Sequence, residues 1–138
     1  MNIMFFLTHK SEVTYLYEDM GIKEGLDKLQ ASGYHAIPLI SRDGEYIGTV
    51  TEGDFLWMIC SCGELIGKKK TMSLQMRDLP RRCDNKAVDA NATIFDLLSR
   101  AANQNFVPVT DDRNMFIGIV TRKKIFDYCY KHLKETQT

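Results

Sequence analysis

Ala36-Ile37-Pro38-Leu39-Ile40, Asp43-Gly44 and Tyr46-Ile47-Gly48-Thr49-Val50-Thr51 make up one stretch of this chain. Phe106-Val107-Pro108-Val109-Thr110, Asp111-Asp112-Arg113-Asn114 and Phe116-Ile117-Gly118-Ile119-Val120-Thr121 restate it 70 residues later. Each reads as a short apolar strand, a polar turn and a second apolar strand. The proline, the second-strand glycine and the closing threonine all keep the same offset, which marks an internal repeat of one structural unit.

Working outward, an amphipathic helix is expected before each hairpin. Ile22-Leu26-Leu29 and Ile94-Leu98-Ala101 space their apolar residues by four and three. Here the offset is 72, so the second copy has lost about two residues between helix and strand, a change of loop length. After each hairpin a second helix follows, Phe55-Leu56-Trp57-Met58-Ile59 in one copy and Ile125-Phe126-Cys129-Tyr130-Leu133 in the other. The unit is therefore β-α-β-β-α and the fold class α+β. Repeat 1 is assigned to residues 6–62 and repeat 2 to 74–136, with a linker over 63–73 that carries Gly63, Gly67 and the run Lys68-Lys69-Lys70. Three lysines without interleaved aromatics read as a solvated face, not a nucleic-acid patch.

At 138 residues there is room for one domain or for two small repeats sharing a core. Eighteen Lys and Arg balance eighteen Asp and Glu, which argues against bulk attraction to nucleic acid or a membrane surface. The balance hides a division: residues 1–60 hold four bases against nine acids, and residues 61–138 hold fourteen against nine. The apolar start Ile3-Met4-Phe5-Phe6-Leu7 has no basic flank or cleavage site, and no apolar run reaches the roughly 18 residues of a membrane span. Cys60, Cys62, Cys83 and Cys129 lack metal-knuckle spacing, and Cys60-x-Cys62 reads as a helix-end thiol pair. A cytoplasmic protein without a metal or cofactor is expected. No nucleophile elbow, metal-binding His pair or Gly-rich phosphate loop is present, so no catalytic residue is assigned and the chain is not expected to be an enzyme.

The chemistry falls at the strand-to-helix junctions, Gly48-Thr49-Val50-Thr51-Glu52-Gly53-Asp54 and Gly118-Ile119-Val120-Thr121-Arg122-Lys123-Lys124. A threonine there can cap the helix, and the free N–H groups with the helix dipole favour an anion. Thr51-x-x-Asp54 is equally a near-match to a capping box. With the apolar-Pro strands and the turns, these junctions resemble the CBS domain, a module of about sixty residues that occurs in pairs. The resemblance spans about Phe6 to Leu133 and implies two CBS repeats packed as a pseudo-twofold pair, with small three-stranded sheets and flanking helices.

The resemblance also implies adenine-nucleotide clefts composed from both copies. One would take Thr14, His35, Ala36, Ile37 and Pro38 with Thr121, Arg122 and Lys123; the other would take Thr51 and Asp54 with Asn105, Phe106 and Val107. Asp54 is suited to a ribose diol, and Lys124 in the equivalent place is not. Arg122 and Lys123 are suited to phosphate oxygens. Together with Tyr34-His35-Ala36-Ile37-Pro38, Asp78-Leu79-Pro80-Arg81 and Lys131-His132-Leu133, they resemble small stand-alone bacterial CBS pairs that bind cyclic di-AMP. That subfamily tends to carry a lysine where this chain has Glu12. The implied function is a non-enzymatic sensor of an adenine nucleotide, cyclic di-AMP first, signalling to an effector protein. The alternatives are an AMP, ADP or ATP sensor using the Thr51/Asp54 cleft, or a ligand-free interaction module. A homodimer through the second helices is also implied.

Overall fold

The structure is a computed structural model that describes residues 2–62 and 73–136. Almost all of the expected linker, including Lys68-Lys69-Lys70, lies outside the described residues, as does the side chain of Cys62. In chain order the strands and α-helices are β1 Thr8–His9, β2 Leu16–Tyr17, α1 Ile22–Ser32, β3 Ala36–Ile40, β4 Tyr46–Thr51, α2 Glu52–Cys62, β5 Val88–Asp89, α3 Ile94–Ala101, β6 Phe106–Thr110, β7 Phe116–Thr121 and α4 Arg122–Thr136. The short 3-10 turns Ile3–Phe6 and Met76–Asp78 each bury apolar side chains in one of the cores.

Two compact bodies result: Thr14–Asp84, and Met1–Val13 together with Asn85–Thr138. The first holds a sheet ordered β2-β3-β4 and the second a sheet ordered β1-β7-β6-β5. In each, a two-residue strand lies parallel to the first hairpin strand, a pairing that requires a crossover, and α1 or α3 provides it. The hairpins are superposable in register, with Ala36 opposite Thr51 and Phe106 opposite Thr121, and each shifts register at its far end, at Leu39/Ile40 and Val109/Thr110. Gly44 and Asn114 close the two turns with φ of 100° and 63°, the region that Gly and Asn enter at least cost. Thus the offset of 70 is an offset of hydrogen-bond pattern as well as of letters.

One sheet has four strands where three were expected. Thr8 and His9 add antiparallel to Ile119 and Gly118 on the edge of β7. Gly118 makes this possible, because a Cβ there would run into the Thr8 carbonyl and the Leu7 side chain. The chain's first thirteen residues therefore complete the body built from the second copy.

Each body has its own core. Leu16, Ile22, Leu29, Ile37, Leu39, Val50, Phe55 and Met76 fill one, and Ile3, Phe6, Leu97, Ala101, Val107, Val109, Val120 and Ile125 fill the other. Here the helix pattern needs correcting. Leu98, expected in the buried stripe, is exposed, and Leu97 is fully buried. Its counterpart 72 residues earlier is Gly25, whose missing side chain leaves the space taken by the Met76 thioether. One copy fills this position from its own helix and the other from the Met76–Asp78 turn. The second helices are also less buried than their apolar content suggests. Phe55, Met58 and Ile125 pack inward, while Leu56, Trp57, Phe126, Tyr130 and Leu133 are exposed.

Candidate functional site

The two threonine loops occupy equivalent places, at the junctions of β4 with α2 and of β7 with α4. In each, the first helical N–H reaches back to the residue before the paired strand. Glu52 N donates to the His35 carbonyl at 3.0 Å, and Arg122 N donates to the Asn105 carbonyl at 2.9 Å. Each body therefore sets the start of its first hairpin strand against the threonine loop of the same copy. His35 and Glu52 are additionally linked, Nδ1 to Oε1 at 2.9 Å, on an exposed surface.

The Thr51 loop closes on itself. Asp54 N donates to Thr51 Oγ1 at 3.1 Å and Thr51 N donates to Asp54 Oδ2 at 3.0 Å, a reciprocal capping box that satisfies orphan donors at the start of α2. Arg82 N donates to the other carboxylate oxygen, Asp54 Oδ1, at 3.1 Å. Asp54 is 1% exposed. Such a carboxylate is sustained by its backbone donors, since an uncompensated charge at that depth is strongly disfavoured. The segment carrying Arg82 is fastened a second time. Thr49 N donates to Asp84 Oδ1 at 3.0 Å, and Arg81 Nε donates to the same oxygen at 2.8 Å. Bare Gly48 leaves the room this pair needs. The Tyr46 hydroxyl lies 2.8 Å from Thr49 Oγ1, and burial pushes its phenol well above its ordinary range.

The Thr121 loop is open by comparison. Lys124 N donates to Thr121 Oγ1 at 3.2 Å, which is half of the same box, and the first turn of α4 contains no acid to return the bond. Lys124 Nζ instead donates to Thr8 Oγ1 at 3.2 Å. Arg122 Nε donates to the Ala101 carbonyl at 2.9 Å, where a cation suits the C-terminal end of α3. That bond orients the guanidinium, and its Nη groups make no bond to other described residues. Lys123 pairs with Asp127 one turn on, at 3.1 Å; both are exposed, so the tether is weak.

The remaining sequence-assigned residues are distributed as follows. Thr14 and Ala36 are half-buried, His35 and Asn105 are exposed, and Ile37, Pro38, Phe106 and Val107 are buried. The Phe106 carbonyl accepts from Asn85 Nδ2 at 3.1 Å. Sequence reasoning missed Arg82, Asp84 and Thr8 as partners of the loops, because no periodicity ties those segments to the helices they touch. Among the described residues no group of three metal-ligating side chains forms.

Two β-α-β-β-α bodies in tandem, each with a threonine loop at the end of its second hairpin strand, define a tandem-repeat module, and the CBS domain family model matches residues 7–60 and 76–131. The chain belongs to the CBS domain family. No curated protein matches it by sequence. Among solved structures it is similar to CbpB in complex with c-di-AMP, at 18% identity over 99% of this chain and 89% of that one, with a TM-score of 0.88. Listeria monocytogenes CbpB, also in complex with c-di-AMP, has 17% identity over 96% of this chain and 97% of that one, with a TM-score of 0.81. CBSX2 in complex with AMP has 20% identity over 94% of this chain and 96% of that one, with a TM-score of 0.72. At these identities the likeness is one of fold. CBS pairs are regulatory nucleotide-binding modules, and no enzyme family is indicated.

Proposed function

We propose that this chain is a cytoplasmic sensor of cyclic di-AMP that signals to a protein effector. The observation carrying the proposal is the Thr121-Arg122-Lys123 loop, a helix start with two basic side chains and no acid in its first turn. Phosphate oxygens are the ligand chemistry that such a loop favours, through the helix N-terminus, the guanidinium and the ammonium together. In this reading Thr121, Arg122 and Lys123 serve the phosphates. Thr14, His35, Ala36, Ile37 and Pro38 serve the base. Two neighbours of the same fold, whose solved forms contain c-di-AMP, support this choice over AMP, the ligand in the third.

The output follows from linkage. A ligand shifts effector binding only by its differential affinity for two states of the module, and the effector must shift ligand affinity by the same factor. We also assign homodimerisation to the exposed apolar side chains of α2 and α4, among them Leu56, Trp57, Phe126 and Tyr130. Calorimetric titration with cyclic di-AMP, AMP, ADP and ATP tests the ligand. Saturable binding of cyclic di-AMP ahead of the mononucleotides is expected, and no heat or thermal shift with any of the four sinks the proposal. Light scattering that finds a monomer at micromolar concentration removes the dimer.

A further inference from the structure

We propose that the nucleotide site of the Thr121 loop reads phosphate and base, leaving the ribose hydroxyls unread, because position 124 is committed to holding the chain's leading segment. The inference rests on the nucleotide reading above. The strongest side-chain acceptor for a ribose hydroxyl is a carboxylate, because the bond is charge-assisted. The Thr121 loop has none to give. Its helix starts Arg122-Lys123-Lys124, and the first acid on α4, Asp127, lies a full turn later and already receives Lys123 Nζ at 3.1 Å.

The equivalent positions 54 and 124 perform the same structural task with opposite charge. Asp54 accepts the backbone N–H of Arg82, and Lys124 Nζ donates to Thr8 Oγ1. Arg82 and Thr8 belong to corresponding segments. Each follows a 3-10 turn with buried apolar residues, Met76 and the capping Leu79 in one body, Ile3 and Phe6 in the other. Each segment crosses a glycine, Gly48 or Gly118, that has no room for a Cβ. Lys124 also faces a groove beside this segment. With Phe5, Phe6, Asp127, Tyr128 and Lys131 it lines a groove of about 320 Å³ between the leading segment and α4. The residue at the third position after each threonine is therefore a clasp. Phosphate recognition at the Thr121 loop is left to Arg122 and Lys123.

The test compares cyclic di-AMP with its 2′-deoxy counterpart by calorimetry on the full chain, and repeats both on Lys124→Ala with a melting curve. The expected result is that the two ligands bind the wild-type chain within about threefold of each other, since a lost bond to a charged acceptor costs tenfold or more. Lys124→Ala is expected to keep affinity within the same threefold while lowering the melting temperature. A deoxy ligand at least about tenfold weaker than the ribo form overturns the inference. So does a Lys124→Ala variant that loses affinity at an unchanged melting temperature, since Lys124 would then be holding ligand and not Thr8. If neither ligand binds the wild-type chain, the nucleotide reading itself fails, an outcome plainly different from a ribose preference.

Discussion

Asp54, the last residue of the first threonine loop, accepts the backbone N–H of Arg82, 28 residues downstream, at 3.1 Å. Removing its carboxylate strands the Thr51 and Arg82 N–H groups together in a partly buried place. Asp54→Ala should therefore destabilise the chain by about 2–4 kcal/mol, the sum of a lost cap and a lost charged hydrogen bond. Asp54→Asn, which keeps one acceptor, should cost less. Denaturant unfolding of the two variants checks the order, and equal costs would mean that the acceptor Asn retains contributes nothing.

Arg122 and Asp54 separate the proposed ligand loop from the structural one. Arg122→Ala should weaken cyclic di-AMP binding by about tenfold or more, and Arg122→Lys should recover only part of it, because an ammonium lacks the planar pair of donors. Calorimetry at two salt concentrations measures this. Binding that vanishes with Asp54→Ala in a folded protein, and survives Arg122→Ala, would transfer the site to the first loop.

Gly118 and Gly48 should differ in tolerance. A Cβ at Gly118 meets the Thr8 backbone carbonyl, which cannot move without parting β1 from β7, whereas at Gly48 it meets the side chains of Asp84 and Arg81. Gly118→Ala should cost more than Gly48→Ala, with overpacking at either site in the range of about 1–3 kcal/mol. Melting curves of the pair give the comparison.

Met76 and Gly25 should be coupled. Met76→Ala empties a fully buried site and should cost about 2–5 kcal/mol. Gly25→Ala alone forces a methyl group into the thioether, yet in the double variant that methyl group has space to occupy. A double-mutant cycle should show the pair costing less than the two single changes added together. Simple additivity would place the two residues out of contact.

Acid should weaken the Asp19–Arg42 pair. The Arg42 side-chain hydrogen bond, Nε to Oδ1 at 2.8 Å, holds the Asp19 carboxyl below its ordinary value of 3.8. A carboxyl lowered in the folded state contributes stability that is fully present above its unfolded value and is lost as pH falls through its folded one. Melting temperatures measured downward from pH 5 should fall less steeply in Arg42→Ala than in the wild-type chain. Parallel curves would show the pair to be fully screened at the surface.

Much of the fold was legible in the letters because hairpin registers repeat at period two and a fixed offset. Pro38, Gly48 and Thr51 find Pro108, Gly118 and Thr121 in both sequence and space. Burial on the helices was harder to read. Leu97 and Leu98 are adjacent and equally apolar, and only the filling of the corresponding Gly25 site by Met76 shows which of them the core requires. The threonine loops were legible as helix starts. Their fasteners were not, because Arg82, Asp84 and Thr8 reach them through backbone groups and single side chains that leave no pattern.

The fourth strand of one sheet fixes an order of events during synthesis. Ile3, Phe6 and Thr8 leave the ribosome well before residues 88–125, from which the β7 edge and the core they complete are built. Residues 3–8 must wait, with their apolar side chains unburied, until residues 88–125 have emerged. The body spanning 14–84 has all its parts much sooner. Contacts that close so long a loop form late and slowly. The newborn protein thus passes through a stage in which one body is finished and Ile3, Phe6 and Thr8 are still unhoused, the interval in which a chaperone or a second nascent chain would find something to hold.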